Sequence, residues 1–153
     1  MKLLNKVQAK KLPQLKLHDS DLGNIGLISI NGKKVTFEEF SKMENLTVKG
    51  DLSLYRTAIK ELPKGLKVGG DLELSDSAIK ELPSGLEVGG FLNLYRTAIT
   101  ELPSGLEVGG SLWLSGSKIK ELPEDLKVKE RIWISSEMKK TFNAGKFKVR
   151  VIV

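Results

Sequence analysis

Hydrophobic residues return along this chain with a period of 20 residues. Within each period, two leucines lie two positions apart, and an isoleucine and a Leu-Pro pair follow. Four segments align without gaps: VKGDLSLYRTAIKELPKGLK from Val48, VGGDLELSDSAIKELPSGLE from Val68, VGGFLNLYRTAITELPSGLE from Val88 and VGGSLWLSGSKIKELPEDLK from Val108. A fifth begins in register at Val128 and then diverges. A fixed period of this length predicts a solenoid, in which each unit buries its apolar side chains only against its neighbours.

The pattern inside one unit predicts a short strand and a compact return. Leu72 and Leu74 alternate with polar residues, which is typical of a strand with one buried face. About half of the unit remains for the return, and it contains a proline and a glycine, so a helix is not expected there. The return should be extended or 3₁₀-like. Successive strands would then stack in parallel at about 4.8 Å.

The stretch G-G-x-L-x-L-x-x-[T/S]-x-I resembles the leucine-rich repeat, whose core reads L-x-x-L-x-L-x-x-N-x-L. The resemblance covers residues 46–135, and the unit length and L-P-x-x-L segment are similar to the short bacterial subtype found in secreted effectors. It departs in using glycine for the first leucine and a hydroxyl for the asparagine, at Thr57, Ser77, Thr97 and Ser117. It implies a parallel sheet on the inner face. A right-handed β-helix with a similar coil length is the alternative fold.

The whole chain, 1–153, is expected to form one mainly β solenoid domain. Residues 1–47 would be an N-terminal cap that contains a degenerate repeat, Leu15–Ile25, and an insertion. That insertion predicts a hairpin around Asn31-Gly32 and a short helix from Glu38 to Glu44. Residues 48–127 would be four regular repeats. Residues 128–153 would hold a last degenerate repeat and a capping strand, in which Phe147, Val149, Val151 and Val153 alternate with basic residues.

The amino-acid composition excludes several classes of functional site. The chain has no cysteine and a single histidine, His18, which excludes thiol nucleophiles, disulfides and histidine-rich metal sites within the chain. The Gly-Gly pairs lack the Gly-Lys-[Ser/Thr] of a phosphate loop and instead predict tight turns of the chain into each strand. The ladder Glu61, Glu81, Glu101 and Glu121 predicts a solvated face rather than paired catalytic carboxylates. We therefore expect no enzyme activity, no metal and no cofactor.

Charge and hydropathy bear on partners and location. Residues 1–50, 51–126 and 127–153 carry net charges of +4, −4 and +6, so the ends are basic. Basic ends could contact nucleic acid or an acidic protein. No apolar run approaches the roughly 20 residues that span a bilayer, and no secretory signal is recognisable. A cytoplasmic protein without a membrane partner is expected. The resemblance adds the alternative of an effector delivered into a host cell.

One face of the expected sheet concentrates large side chains. Both tryptophans and both tyrosines fall at outward strand positions, and arginines lie on or beside the same face. Tyrosine, tryptophan and arginine dominate binding hot spots. The outward serines, among them Ser75 and Ser115, would lie on this face too. The candidate partner-binding residues are Tyr55, Arg56, Phe91, Tyr95, Arg96, Trp113, Arg131 and Trp133.

These residues predict a non-catalytic module that recognises another protein through the sheet face. The leucine-rich repeat resemblance implies an adaptor, effector or inhibitor role in a bacterium or its phage. The alternative is a nucleic-acid-binding protein that uses the basic ends and stacks bases on the aromatic rings. A plain structural role for the rings, as ladders that reinforce neighbouring strands, is the competing interpretation.

Overall fold

The computed structural model describes residues 26–152, with only the backbone of Ile152. The first described element is an antiparallel hairpin of β1 (Leu27–Ile30) and β2 (Lys33–Thr36). Asn31 and Gly32 form its turn with φ values of 49° and 78°, the pair of positive values that a type I′ turn requires. The hairpin prediction is confirmed. The degenerate repeat predicted at 15–25 and His18 lie outside the described residues.

Helix α1 (Phe37–Ser41) follows the hairpin directly. Thr36 caps it in a capping box: its hydroxyl accepts from the Glu39 N–H at 3.0 Å, and the Glu39 carboxylate accepts from the Thr36 N–H at 2.9 Å. Phe40 is fully buried and packs the helix against the hydrophobic core. The predicted helix is present, but it ends three residues before Glu44.

The repeats form a solenoid with two parallel sheets. The first, here called the front sheet, has six strands in the order β4 (Leu52–Ser53), β6 (Leu72–Glu73), β8 (Leu92–Asn93), β10 (Leu112–Trp113), β12 (Ile132–Ser135) and β13 (Val149–Ile152). The second, the side sheet, has five: β3 (Thr47–Val48), β5 (Lys67–Val68), β7 (Glu87–Val88), β9 (Glu107–Val108) and β11 (Lys127–Val128). The chain is thus a mainly β solenoid of stacked coils, compatible with both predicted fold types.

The two sheets meet at the Gly-Gly corners, and the first glycine of each pair is required by stacking. A Cβ on Gly69 would lie only 2.5 Å from the carbonyl oxygen of Lys49 in the preceding coil. The same clash recurs at Gly89 and Gly109, against Gly69 and Gly89. The sequence predicted tight turns at these glycines. The chain bends at each of these pairs, as predicted. Because none of the three glycines has a positive φ, the need for glycine comes from the close approach of neighbouring coils.

Leucine and isoleucine ladders fill the interior between the sheets. Leu72, Leu74, Ile79 and their equivalents in the next coil are fully buried. The hydroxyls at the asparagine position bond within their own coil: Thr57, Ser77 and Thr97 each donate to the carbonyl three residues upstream, at 2.6–2.9 Å. The buried hydroxyl of Ser117 has no hydrogen-bond partner among the described residues.

The C-terminal end closes the front sheet as predicted. After β12, a 3₁₀ turn at Met138–Lys140 buries Met138, and the chain returns to place β13 parallel to β12. Ile132 pairs with Val149, so this last coil is shorter than the regular ones. Among residues 26–152, no helix has the length and apolar character needed to cross a bilayer.

Candidate functional site

The outward side chains of the front sheet form a surface, here called the front face, with three rows across the coils. The first row is Asp51, Asp71, Phe91, Ser111 and Arg131, each directly before a strand. The central row follows the strand register and is Ser53, Glu73, Asn93, Trp113, Trp133 and Arg150. The third row is Tyr55, Ser75, Tyr95, Ser115 and Ser135. All eight residues predicted for the site lie on this face or directly beside it.

Trp113 and Trp133 are paired across β10 and β12 and stack on each other. Their ring centroids are 5.1 Å apart and the planes are inclined by 19°. Both rings are partly exposed. The stack is therefore a rigid apolar surface that needs little ordering when a partner contacts it.

Each of three arginines lies over an aromatic ring. The guanidinium carbon of Arg56 is 5.4 Å from the centroid of Tyr55, and that of Arg96 is 5.9 Å from Tyr95. Arg131 lies 6.0 Å from the Trp133 ring. The tyrosines are 47% and 43% exposed, which makes Tyr55 and Tyr95 the most exposed large apolar side chains described. Cation–π contacts hold these cations close to the rings in solvent.

Two of these arginines occupy an unfavourable backbone conformation. Arg56 and Arg96 have φ values of 54° and 53°, in the left-handed region that disfavours side chains with a Cβ. Asp76 shares this conformation at the same repeat position, and the coil that follows Arg96 has Gly116 there. Glycine would fit every coil with less strain. The arginines are thus retained at a local cost in free energy, which points to a role for their side chains.

The third row departs from the prediction at its serines. Ser75 and Ser115, expected to point to solvent, are each only 5% exposed. A serine side chain is too short to extend past larger residues in the adjacent coils, and Ser75 has Tyr55 and Tyr95 as its neighbours in this row. The row therefore alternates between protruding rings and recesses. The Ser115 hydroxyl is buried without a hydrogen-bond partner among the described residues.

One recess is an open groove of about 460 Å³ beside the tryptophan stack. It is lined by Asn93, Tyr95, Trp113, Ser115, Ser135, Ser136 and Glu137. Two aromatic rings border it, and polar side chains complete its walls. Such a groove suits a large side chain of a partner better than it suits a buried small molecule, because it is open to solvent.

Acidic side chains occupy the N-terminal end of the face and are held by the backbone. The Asp51 carboxylate accepts from the Asp71 N–H, and Asp71 accepts in turn from the Phe91 N–H, both at 2.8 Å. Glu73 accepts from the Ser75 N–H at 2.8 Å and from the Asn93 amide at 2.9 Å. These carboxylates are consequently fixed in position.

The C-terminal end of the face is basic, and sequence reasoning missed part of it. Arg150 lies beside Trp133 in the register of β12 and β13, and Lys148 precedes the strand in line with Arg131. The alternation of Lys148 and Arg150 with Val149 and Val151 was the available signal. It indicated an outward position, but only the pairing of β13 with β12 reveals the neighbours.

Charges away from the front face are arranged differently. On the side sheet, Lys67 and Lys127 pair with Glu87 and Glu107 of adjacent coils, at 2.9 Å and 2.5 Å. The hydrogen bond from Lys127 and its positive charge lower the pKa of Glu107. The same hydrogen bond and the negative charge of Glu107 raise the pKa of Lys127. The ladder of glutamates from Glu61 is exposed, as predicted. Within residues 26–152, no cluster of three or more metal-ligating side chains is present.

Comparison with known proteins returned no matching family model, no matching curated protein and no matching solved structure. The geometry of the front face and the repeat pattern are therefore the basis for any functional conclusion.

Proposed function

We propose that this chain is a non-catalytic recognition module of the leucine-rich repeat type that binds another protein through its front face. The observation that carries the proposal is the Trp113–Trp133 stack, flanked by arginines that lie over exposed rings. The other coils hold serine, glutamate and asparagine at the same row, so the coil itself does not need tryptophan there.

The chemistry of the face supports protein recognition. Large rings bury much apolar area on contact, and arginine supplies several hydrogen-bond donors, which is why these residues dominate hot spots. Stacking and cation–π contacts already restrict the rings of Trp113, Trp133 and Tyr95 in the free protein. These side chains then lose less conformational entropy when a partner binds than mobile side chains would.

The repeat type is supported by the motif within each coil. In each of three coils, the front-sheet strand is followed by a buried hydroxyl, at Thr57, Ser77 and Thr97. Each hydroxyl donates to a backbone carbonyl, and the asparagine of the family likewise binds loop backbone. The adaptor, effector or inhibitor role that the leucine-rich repeat resemblance implies is consistent with this surface.

Nucleic-acid binding is the second candidate, favoured by one observation. Arg131 and Arg150 flank Trp133, an arrangement in which a base can stack while phosphates contact the cations. Phosphate contacts would make log Kd change linearly with log salt concentration. Binding of single-stranded DNA or RNA at low salt, with that salt slope, would replace the protein proposal.

The protein proposal is tested by affinity capture with the chain immobilised on beads. We expect the Trp113→Ala/Trp133→Ala variant to lose at least about 90% of a specific captured protein, because hot-spot truncation costs about 2 kcal/mol or more. The matched control is Lys67→Ala/Glu87→Ala on the side sheet, which should capture as the wild type does. Equal capture by wild type and the tryptophan variant would contradict the proposal.

A further inference from the structure

The front face is divided by charge along the coil axis. Its first two coils carry Asp51, Asp71 and Glu73, while its last coils carry Arg131, Lys148 and Arg150. Within residues 26–152, none of these six side chains takes part in an ion pair. The two groups cannot neutralise each other inside one molecule, because β6 and β12 are separated by three strand spacings, about 14 Å.

We infer that the front face binds a second copy of this chain, face to face and with the coil order reversed. The inference rests on the proposed function, since it names the protein that the same face accepts. A two-fold axis lying in the interface and parallel to the strands, between β8 and β10, relates the copies. Such an axis places β6 opposite β12, β4 opposite β13 and β8 opposite β10.

Charge complementarity selects this arrangement. Rotation about that axis keeps each row opposite itself, so Asp71 meets Arg131 of the second copy and Asp51 meets Lys148. Two-fold symmetry repeats both pairs at the other end of the interface. The other face-to-face dimer, with its axis along the coils, would place the acidic ends together and the basic ends together, which like-charge repulsion disfavours.

Shape complementarity points the same way. The reversed order places Tyr95 opposite Ser115, Phe91 opposite Ser111, and Trp113 opposite Asn93. In these three pairs a large ring of one copy faces a smaller side chain of the other. Ser115 is buried and lines the open groove of about 460 Å³, so Tyr95 of the second copy has a recess to enter.

The size of the face sets the expected affinity. Six strands spaced about 4.8 Å apart span about 24 Å across the face, and five residues at about 3.3 Å each span about 16 Å along the strands. The face therefore has an area of roughly 400 Å² in each copy. The total, about 800 Å², is below the roughly 1,200 Å² at which stable specific interfaces begin, so the dimer should be weak and in rapid exchange with monomer. We expect a dissociation constant on the order of 100 µM at low salt, increasing as salt screens the charged pairs.

Sedimentation of the full chain from about 10 µM to 1 mM tests the inference. The wild-type mass should rise from 16.9 kDa toward twice that value. Asp71→Arg and Arg131→Asp should each weaken dimerisation at least about tenfold, because each places like charges together. An equimolar mixture of the two should dimerise again, since both of its cross pairs have opposite charges.

The controls separate folding from association. Asp71→Asn keeps a side-chain oxygen that can accept from the Phe91 N–H. It therefore removes the charge but preserves the hydrogen bond, and it should also weaken the dimer. Lys60→Asp makes the same charge change as Arg131→Asp on an exposed residue away from the front face and should dimerise as the wild type does.

A wild-type mass that stays at 16.9 kDa throughout would overturn the inference. So would a mixture of the two charge variants that fails to dimerise, or variants that dimerise as well as the wild type. If the protein remains monomeric while tryptophan-dependent capture of another protein persists, the second copy is excluded and the proposed function stands.

Discussion

Trp113 and Trp133 form a stacked pair across adjacent strands, with centroids 5.1 Å apart, although both rings remain partly exposed. The pair links the stability of two coils to the surface proposed for binding. We expect Trp113→Ala to lower the free energy of unfolding by about 1–2 kcal/mol, since it removes a stacking contact and some buried area. Urea denaturation of the single and double tryptophan variants should give a coupling energy of about 0.5–1.5 kcal/mol. Loss of cooperative unfolding in Trp113→Ala would mean that the rings are core packing, and would contradict the binding face.

Much of this fold follows from residues whose local pattern is strong. The period predicts the stacked coils, Asn31-Gly32 predicts the hairpin, and alternation from Phe147 predicts the last strand. The side sheet was not predicted, because a strand as short as Glu87–Val88 shows no alternation to detect. It forms because stacking brings equivalent backbone groups of neighbouring coils into hydrogen-bonding range.

The candidate site was predicted less completely, for reasons of register and size. Arg150 joins the central row only because β13 pairs with β12 at a spacing shorter than the repeat. Ser75 is only 5% exposed and lies in its row between the larger Tyr55 and Tyr95 of the adjacent coils. Both outcomes depend on neighbours in space, which a single repeat pattern does not contain.

Arg96 has a φ of 53°, where Gly116 stands in the following coil. We expect Arg96→Gly to be more stable than Arg96→Ala by about 1 kcal/mol, because both lack the side chain and only alanine keeps the left-handed strain. The ion pair of Arg96 with Asp76, at 3.4 Å, is exposed and should contribute little. Thermal denaturation of the two variants gives the comparison, and an alanine variant as stable as the glycine variant would refute the strain.

Asn31 covers the edge of the side sheet with its side chain. Its amide donates to the Thr47 carbonyl at 2.9 Å and accepts from the Lys49 N–H at 3.2 Å. We expect Asn31→Gly to keep the turn, which needs a positive φ, and to destabilise the protein by about 1–2 kcal/mol through two lost hydrogen bonds. Amide hydrogen exchange at Lys49 should become faster. Asn31→Asp retains an acceptor and should keep Lys49 protected, and equal exchange in both variants would contradict this role.

The hydrogen bond and charge of Lys127 lower the pKa of Glu107. A carboxyl with a lowered pKa in the folded protein adds stability above its unfolded pKa, and that stability is lost as the pH falls through the folded value. We therefore expect Lys127→Met to raise the pKa of Glu107 toward its ordinary value and to reduce the loss of stability on acidification. A carbon-detected NMR titration of the Glu107 carboxylate measures the shift, with Lys120→Met as the control at an exposed lysine of the same coil. If the pKa of Glu107 is the same in wild type and in Lys127→Met, the pairing of side-sheet charges across coils does not persist in solution.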